Sequence, residues 1–89
     1  MKILREASSG TLESSDVLVT VYPAETLSLE IESPVLAQYG DKIEATCREV
    51  LARLKVETGV IKLQDQGALD CTIRARLETA VRRAAKQED

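Results

Sequence analysis

Residues 27–32 alternate without exception. Leu27, Leu29 and Ile31 are apolar; Ser28, Glu30 and Glu32 are polar. Only an extended strand, with its two-residue period, gathers the three aliphatics on one face and both carboxylates on the other. Such a strand packs on a core with one face and meets water with the other. The chain is therefore expected to build a sheet with a wet side. A second alternating run precedes it: Val17, Val19 and Val21 lie opposite Leu18, Thr20 and Tyr22. Pro23-Ala24-Glu25 breaks the pattern between the two runs and predicts a turn, so the runs are expected to pair as a hairpin.

The period then changes. Apolar residues at 36, 39, 43, 47, 50, 51 and 54 follow helical spacing and predict a helix from 34 to about 55. Ser33 is expected to cap its free amides and Pro34 to occupy its first position. Gly40 weakens the helix interior, and Asp41 with Glu44 suggests a second capping box. A short strand over 60–63 follows Gly59, and Asp65-Gln66-Gly67 turns the chain. This strand can pair with either of the first two. Leu69, Ile73, Leu77, Val81 and Ala84 form the apolar stripe of a last helix, from about 69 to 86. The element order β-β-α-β-α predicts a small two-layer α+β domain. It comprises residues 16–86, preceded by a mobile N-terminal arm over 1–15, of which Ile3 and Leu4 can dock on the core, and followed by a frayed tail over 87–89.

With 89 residues the chain makes one domain. It has no Phe or Trp and only two Tyr, so its core must be aliphatic. The net charge of -3 disfavours nucleic acid as a partner. No apolar run approaches the ~20 residues of a membrane span, and residues 1–6 lack the apolar centre of a signal peptide. The expected location is cytoplasmic. Cys47 and Cys71 fit no metal-ligand spacing and read as free thiols. Asp41, Glu44, Asp65 and Asp70 form no recognisable ion-binding loop and read as caps and turn residues. Histidine, the commonest general base, is absent, and no Ser/His/Asp set exists. The chain is expected not to be catalytic alone, with its chemistry performed by a partner.

The loop-like segment Gly10-Thr11-Leu12-Glu13-Ser14-Ser15-Asp16 resembles the prosthetic-group attachment segment of the citrate lyase acyl carrier (γ subunit) family. Gly67-Ala68-Leu69-Asp70-Cys71 and Arg74-Ala75-Arg76-Leu77-Glu78 extend the resemblance, as do Gly40-Asp41 and Val50-Leu51-Ala52-Arg53. It covers most of the chain. The family's modified serine falls on Ser14. Ser15 stands where the family usually has Gly and adds a second hydroxyl beside it. The resemblance implies that Ser14 carries phosphoribosyl dephospho-coenzyme A through a phosphodiester. The arm's thiol would hold acetyl or citryl groups as thioesters. An α subunit would exchange acetyl for citrate, and a β subunit with magnesium would cleave the product to oxaloacetate. It further implies a prosthetic-group transferase and an acetylating ligase as partners. The common phosphopantetheine carriers differ: they are four-helix bundles with an Asp-Ser-Leu motif, which this chain lacks.

Other residues carry weaker expectations. Cys71, near the start of the last helix, can be activated by the helix terminus, but Asp70 opposes ionisation, and a buried packing role is expected for it. Cys47 lies on an apolar stripe and reads as core. Arg76 and Arg83, two turns apart, are the candidate partner-docking residues. Against this, segment 67–89 balances five basic against four acidic side chains, and Glu78 with Arg82 is a helix-stabilising pair. Two other readings stand beside the carrier of citrate lyase. One is the related carrier of citramalate lyase or malonate decarboxylase. The other is a non-enzymatic interaction domain.

Overall fold

The structure is a computed structural model, and it describes residues 1–86. The expected tail at 87–89 lies outside the described residues. Four strands and two helices follow in the order β1 (Ala7–Ser9), β2 (Val17–Tyr22), β3 (Leu27–Glu32), α1 (Leu36–Arg53), β4 (Gly59–Asp65) and α2 (Asp70–Ala85). The strands make one sheet in the order β1-β2-β4-β3. Both helices cover a single face of it. This is the expected two-layer α+β class, with one strand more than the expected order.

The extra strand lies within the segment expected as an arm. Ala7, Ser8 and Ser9 pair antiparallel with Val21, Thr20 and Val19. Ile3 is also buried in the core, and the amides of Leu4 and Arg5 bond the carbonyl of Ala84.

The expected hairpin of β2 and β3 does not form. β4 lies between them, antiparallel to β2 and parallel to β3. Alternation identifies a strand and its buried face, but it does not specify the neighbour. The parallel pair is made possible by α1, whose length lets the chain cross back over the sheet. Central placement also suits β4 best. Its inward residues Ile61, Leu63 and Asp65 are buried, whereas the inward residues of edge strand β3 are half-buried.

Register stacks the inner face into rows. Ala7, Val21, Ile61 and Leu29 form one row; Ser9, Val19, Leu63 and Ile31 form the next. Aliphatics from the helices close over these rows: Ile43, Cys47, Val50 and Leu51 from α1, and Ile73, Leu77, Ala80, Val81 and Ala84 from α2. Small residues in β1 and alanines on α2 match each other where the helix lies over the sheet edge. The core is aliphatic throughout, as the composition requires.

Helix α1 begins two residues later than expected. Ser33 does not cap it. Its hydroxyl accepts the Val35 amide at 3.2 Å and donates to the Asp65 carboxylate at 2.8 Å. Asp65 also accepts the Ala68 amide at 2.9 Å, so this buried carboxylate ties the approach to α1 to the turn after β4. The helix runs unbroken through Gly40, and Asp41 with Glu44 forms no second start. The apolar stripe extends into the first turns, but Leu36 and Tyr39 are 45% and 53% exposed. Burial begins only at Ile43.

Candidate functional site

Residues 10–16 form the loop between β1 and β2, so Ser14 projects from a hairpin end. Hydrogen bonds give the loop a defined shape. The Thr11 hydroxyl accepts the Glu13 amide at 3.1 Å and donates to Asp16 Oδ2 at 2.8 Å. The Asp16 amide returns to the Glu13 carbonyl at 3.1 Å. Ser15 donates its amide to Gln66, and Gln66 donates its own to Asp16, at 2.8 and 2.9 Å. These two bonds carry the β2–β4 ladder one step into the loop.

Asp16 is the anchor. Arg76 of α2 approaches it with Nε on Oδ1 at 3.1 Å and Nη2 on Oδ2 at 3.2 Å. The Val17 amide donates to the same carboxylate at 2.8 Å. The Arg76 guanidinium, the Val17 amide and the Thr11 hydroxyl together hold the Asp16 carboxyl down at about 2, well below the usual carboxylate range. Arg83 supports the adjoining strand, donating from Nη1 to the Ser8 carbonyl at 2.8 Å. The two arginines proposed for docking thus share one face, as their spacing implied. Both make bonds within the chain, to the loop and to its leading strand.

Two backbone positions shape the loop. Gly10 has φ +97°, and a Cβ there would lie 1.8 Å from the Val17 carbonyl oxygen, so no other residue fits this backbone. Ser15 has φ +66°, in the left-handed region. Its conformation accounts physically for a glycine being suitable at this position.

Ser14 is exposed. Among the described residues neither the Ser14 nor the Ser15 hydroxyl makes a hydrogen bond, in contrast to Thr11 and Asp16. Leu12 is 55% exposed on the same loop. A free hydroxyl on a pinned, protruding loop can be reached by a modifying enzyme and can hold a group clear of the domain.

The cysteines separate. Cys47 is buried in the core, and desolvation pushes its thiol up to about 12. Cys71 is exposed rather than buried, because it lies on the outer face of the first turn of α2. Asp70 serves the helix pair: it accepts the Thr46 hydroxyl at 2.6 Å and Arg74 Nε at 2.7 Å, and Arg74 reaches on to Glu49 of α1. Among the described residues no three His, Cys, Asp or Glu side chains gather to hold a metal ion. No described helix is long and apolar enough to cross a membrane.

The sequence singles out Ser14 and Arg76 separately, as candidates. It gave no sign that Arg76 reaches Asp16, because the two are 60 positions apart. Gly10 was legible only as part of a motif; its steric role needed the fold.

Residues 4–84 match the acyl carrier family described as malonate decarboxylase delta subunit (MdcD). The citrate lyase acyl carrier protein of Haemophilus influenzae strain PittEE is 51% identical over 87 residues, covering 98% of this chain and 92% of that protein. That of Treponema denticola is 50% identical over 84 residues, covering 94% and 97%. That of Enterobacter sp. strain 638 is 51% identical over 89 residues, covering 99% and 92%. Among solved structures, a chain of a Pseudomonas malonate decarboxylase hetero-tetramer in complex with malonate superposes with a TM-score of 0.83 at 20% identity, covering 93% of this chain and 87% of that one. That likeness establishes the shared fold. Near-half identity across almost the whole length, on a frame that presents the motif serine freely, places this chain in the citrate lyase acyl carrier protein family.

Proposed function

We propose that this chain is the acyl carrier subunit of citrate lyase, with phosphoribosyl dephospho-coenzyme A attached to Ser14 through a phosphodiester. The observation that carries this reading is the free, exposed Ser14 hydroxyl on a loop pinned at both ends, in a chain about half identical to carriers of that name. When bound, such a group supplies a thiol that holds acetyl or citryl as a thioester. The chain's own residues hold the tether. Thr11, Asp16 and Arg76 fix the loop, Gly10 permits its turn, and Ser14 offers the attachment oxygen. Tethering turns each encounter with a catalytic subunit into an intramolecular one at high effective concentration.

The partners under this reading are the α and β subunits, the prosthetic-group transferase and the acetylating ligase, in the cytoplasm. Leu12, exposed beside Ser14, offers an apolar contact for whichever protein approaches the loop. The exposed parts of Arg76 and Arg83 flank the same end and supply positive charge for docking.

Replacing Ser14 with Ala is expected to abolish labelling by the transferase with an unchanged circular dichroism spectrum. Normal labelling of that variant would move the site to Ser15 or remove the reading. A second reading, the carrier of malonate decarboxylase, draws on the description of the matching family. Acyl exchange assayed with citrate, citramalate and malonate separates the substrates. Exchange with citrate alone is expected.

A further inference from the structure

Beside the attachment loop lies an open groove of about 360 Å³ between the start of α1 and the turn leading into α2. Val35, Tyr39 and Ile43 form one wall, and Leu69 and Ile73 the other, with Lys42 at the rim. Its volume is within the range of small-ligand sites, and its apolar walls with few polar groups suit a flexible chain. The acidic groups along it are already engaged. Asp65 accepts Ser33 and Ala68, while Asp70 accepts Thr46 and Arg74. What the groove presents is therefore mainly hydrocarbon, an aromatic ring and one cation.

We infer that this groove seats the thiol arm of the loaded carrier between transfers. The inference rests on Ser14 bearing the arm as proposed above. Continuity with the loop selects this occupant. Ser15 and Asp16 are hydrogen-bonded to Gln66, and the next residue, Gly67, lines the groove. Two Cα steps and one strand spacing put Ser14 within roughly 13 Å of the rim. An arm made of a sugar phosphate, a nucleotide and a long thiol chain outreaches that span. Its chemistry also matches the lining: Lys42 suits phosphate, Tyr39 suits a base, and the aliphatic walls suit the chain. Leu36, Tyr39 and Leu69, three of the larger exposed apolar side chains, border this end. Tethering makes even a weak site effective. A groove with a Kd of about 0.1 mM is filled in roughly nine of ten molecules at an effective concentration of about 1 mM. Seating then shields the thiol until a catalytic subunit displaces it.

The test uses the full chain co-expressed with the transferase, in a Cys71→Ser background so that the arm supplies the exposed thiol. Intact mass first establishes loading. The rate of reaction with a thiol reagent is then compared with that of free phosphoribosyl dephospho-coenzyme A. A roughly tenfold slower rate in the loaded carrier is expected, following the occupancy above. The exposed-site double variant Tyr39→Ser with Leu69→Ser should return the rate to near that of the free compound. Amide NMR shifts on loading the unsubstituted groove should appear at Tyr39, Ala68 and Ile73 and not at remote Leu54 or Val56. A loaded carrier whose thiol reacts at the free rate, with no shifts in the groove, overturns the inference and leaves Ser14 attachment standing. Groove shifts seen only after a catalytic subunit is added also overturn it, giving the groove to that subunit. Absence of added mass with active transferase removes the attachment and this inference together.

Discussion

Asp16 combines two functions in one side chain: it closes the loop that carries Ser14 and binds that loop to α2 through Arg76. Its carboxyl, ordinarily near 3.8, is held at about 2 chiefly by Arg76. A folded-state value below the unfolded one means that its stabilising contribution is fully present above about pH 4 and is lost as pH falls through about 2. In Arg76→Ala the carboxyl should rise from about 2 toward, but not reach, its ordinary value, because the Val17 amide and Thr11 hydroxyl still favour the charged form, and the hydrogen-bonded loop amides of Glu13, Ser15 and Asp16 should lose protection from exchange at neutral pH. An unchanged Asp16 titration would show that Arg76 does not hold the loop. Ser15 gives a second test. Its left-handed backbone costs a residue with a Cβ about 1–2 kcal/mol, partly offset in glycine by greater unfolded-state entropy. Ser15→Gly is therefore expected to raise stability by up to about 1 kcal/mol in denaturant unfolding, with labelling at Ser14 retained. At this scale the motif was legible and its mechanics were not. Ser14 could be singled out from its neighbours in the chain, whereas the Asp16–Arg76 pair exists only once α2 lies across β1 and β2.

The elements were read well where periodicity is strong. β2, β3, β4 and both helices follow their apolar patterns, and α2 matches its expected span to within a residue at each end. The misses have local causes. Ala7-Ser8-Ser9 has no alternation to detect and becomes a strand through its partner β2 and the bond from Arg83. β2 and β3 look like a hairpin because only four residues join them, yet β4 fits between them with Ile61 and Leu63 fully buried. Ser33 looked like a cap, but its hydroxyl is drawn to Asp65, a residue 32 positions away. Gly40 makes a testable point within α1. It is helical, with no special backbone requirement, and an added Cβ would meet only the flexible, exposed tip of Leu36 at 3.0 Å. Gly40→Ala should raise stability by about 0.5–1 kcal/mol, which for a domain of this size is a rise in Tm of about 2–8 °C. A fall in Tm would show that the Leu36 contact cannot relax.

At the scale of the whole molecule, the candidate functional features gather at one end. The Ser14 loop proposed for attachment, the turn after β4 and the first turns of both helices all lie there, with Leu12, Leu36, Tyr39 and Leu69 exposed around them. The opposite end is occupied by structural contacts, including the N-terminal ammonium on the carbonyls of Leu54 and Lys55. The layered core supports this division. β2 and β4, fully buried on one face, supply a stiff platform from which the loop projects. Such an arrangement suits a domain whose contribution is to hold and present a group and not to transform it. The central claim is covalent attachment at Ser14, and intact mass followed by peptide mapping tests it most directly, on protein from its native host or co-expressed with the transferase. The account predicts an added mass equal to the phosphodiester-linked phosphoribosyl dephospho-coenzyme A, located on Ser14. An unmodified chain, obtained with a transferase shown to be active on a known carrier, would contradict it.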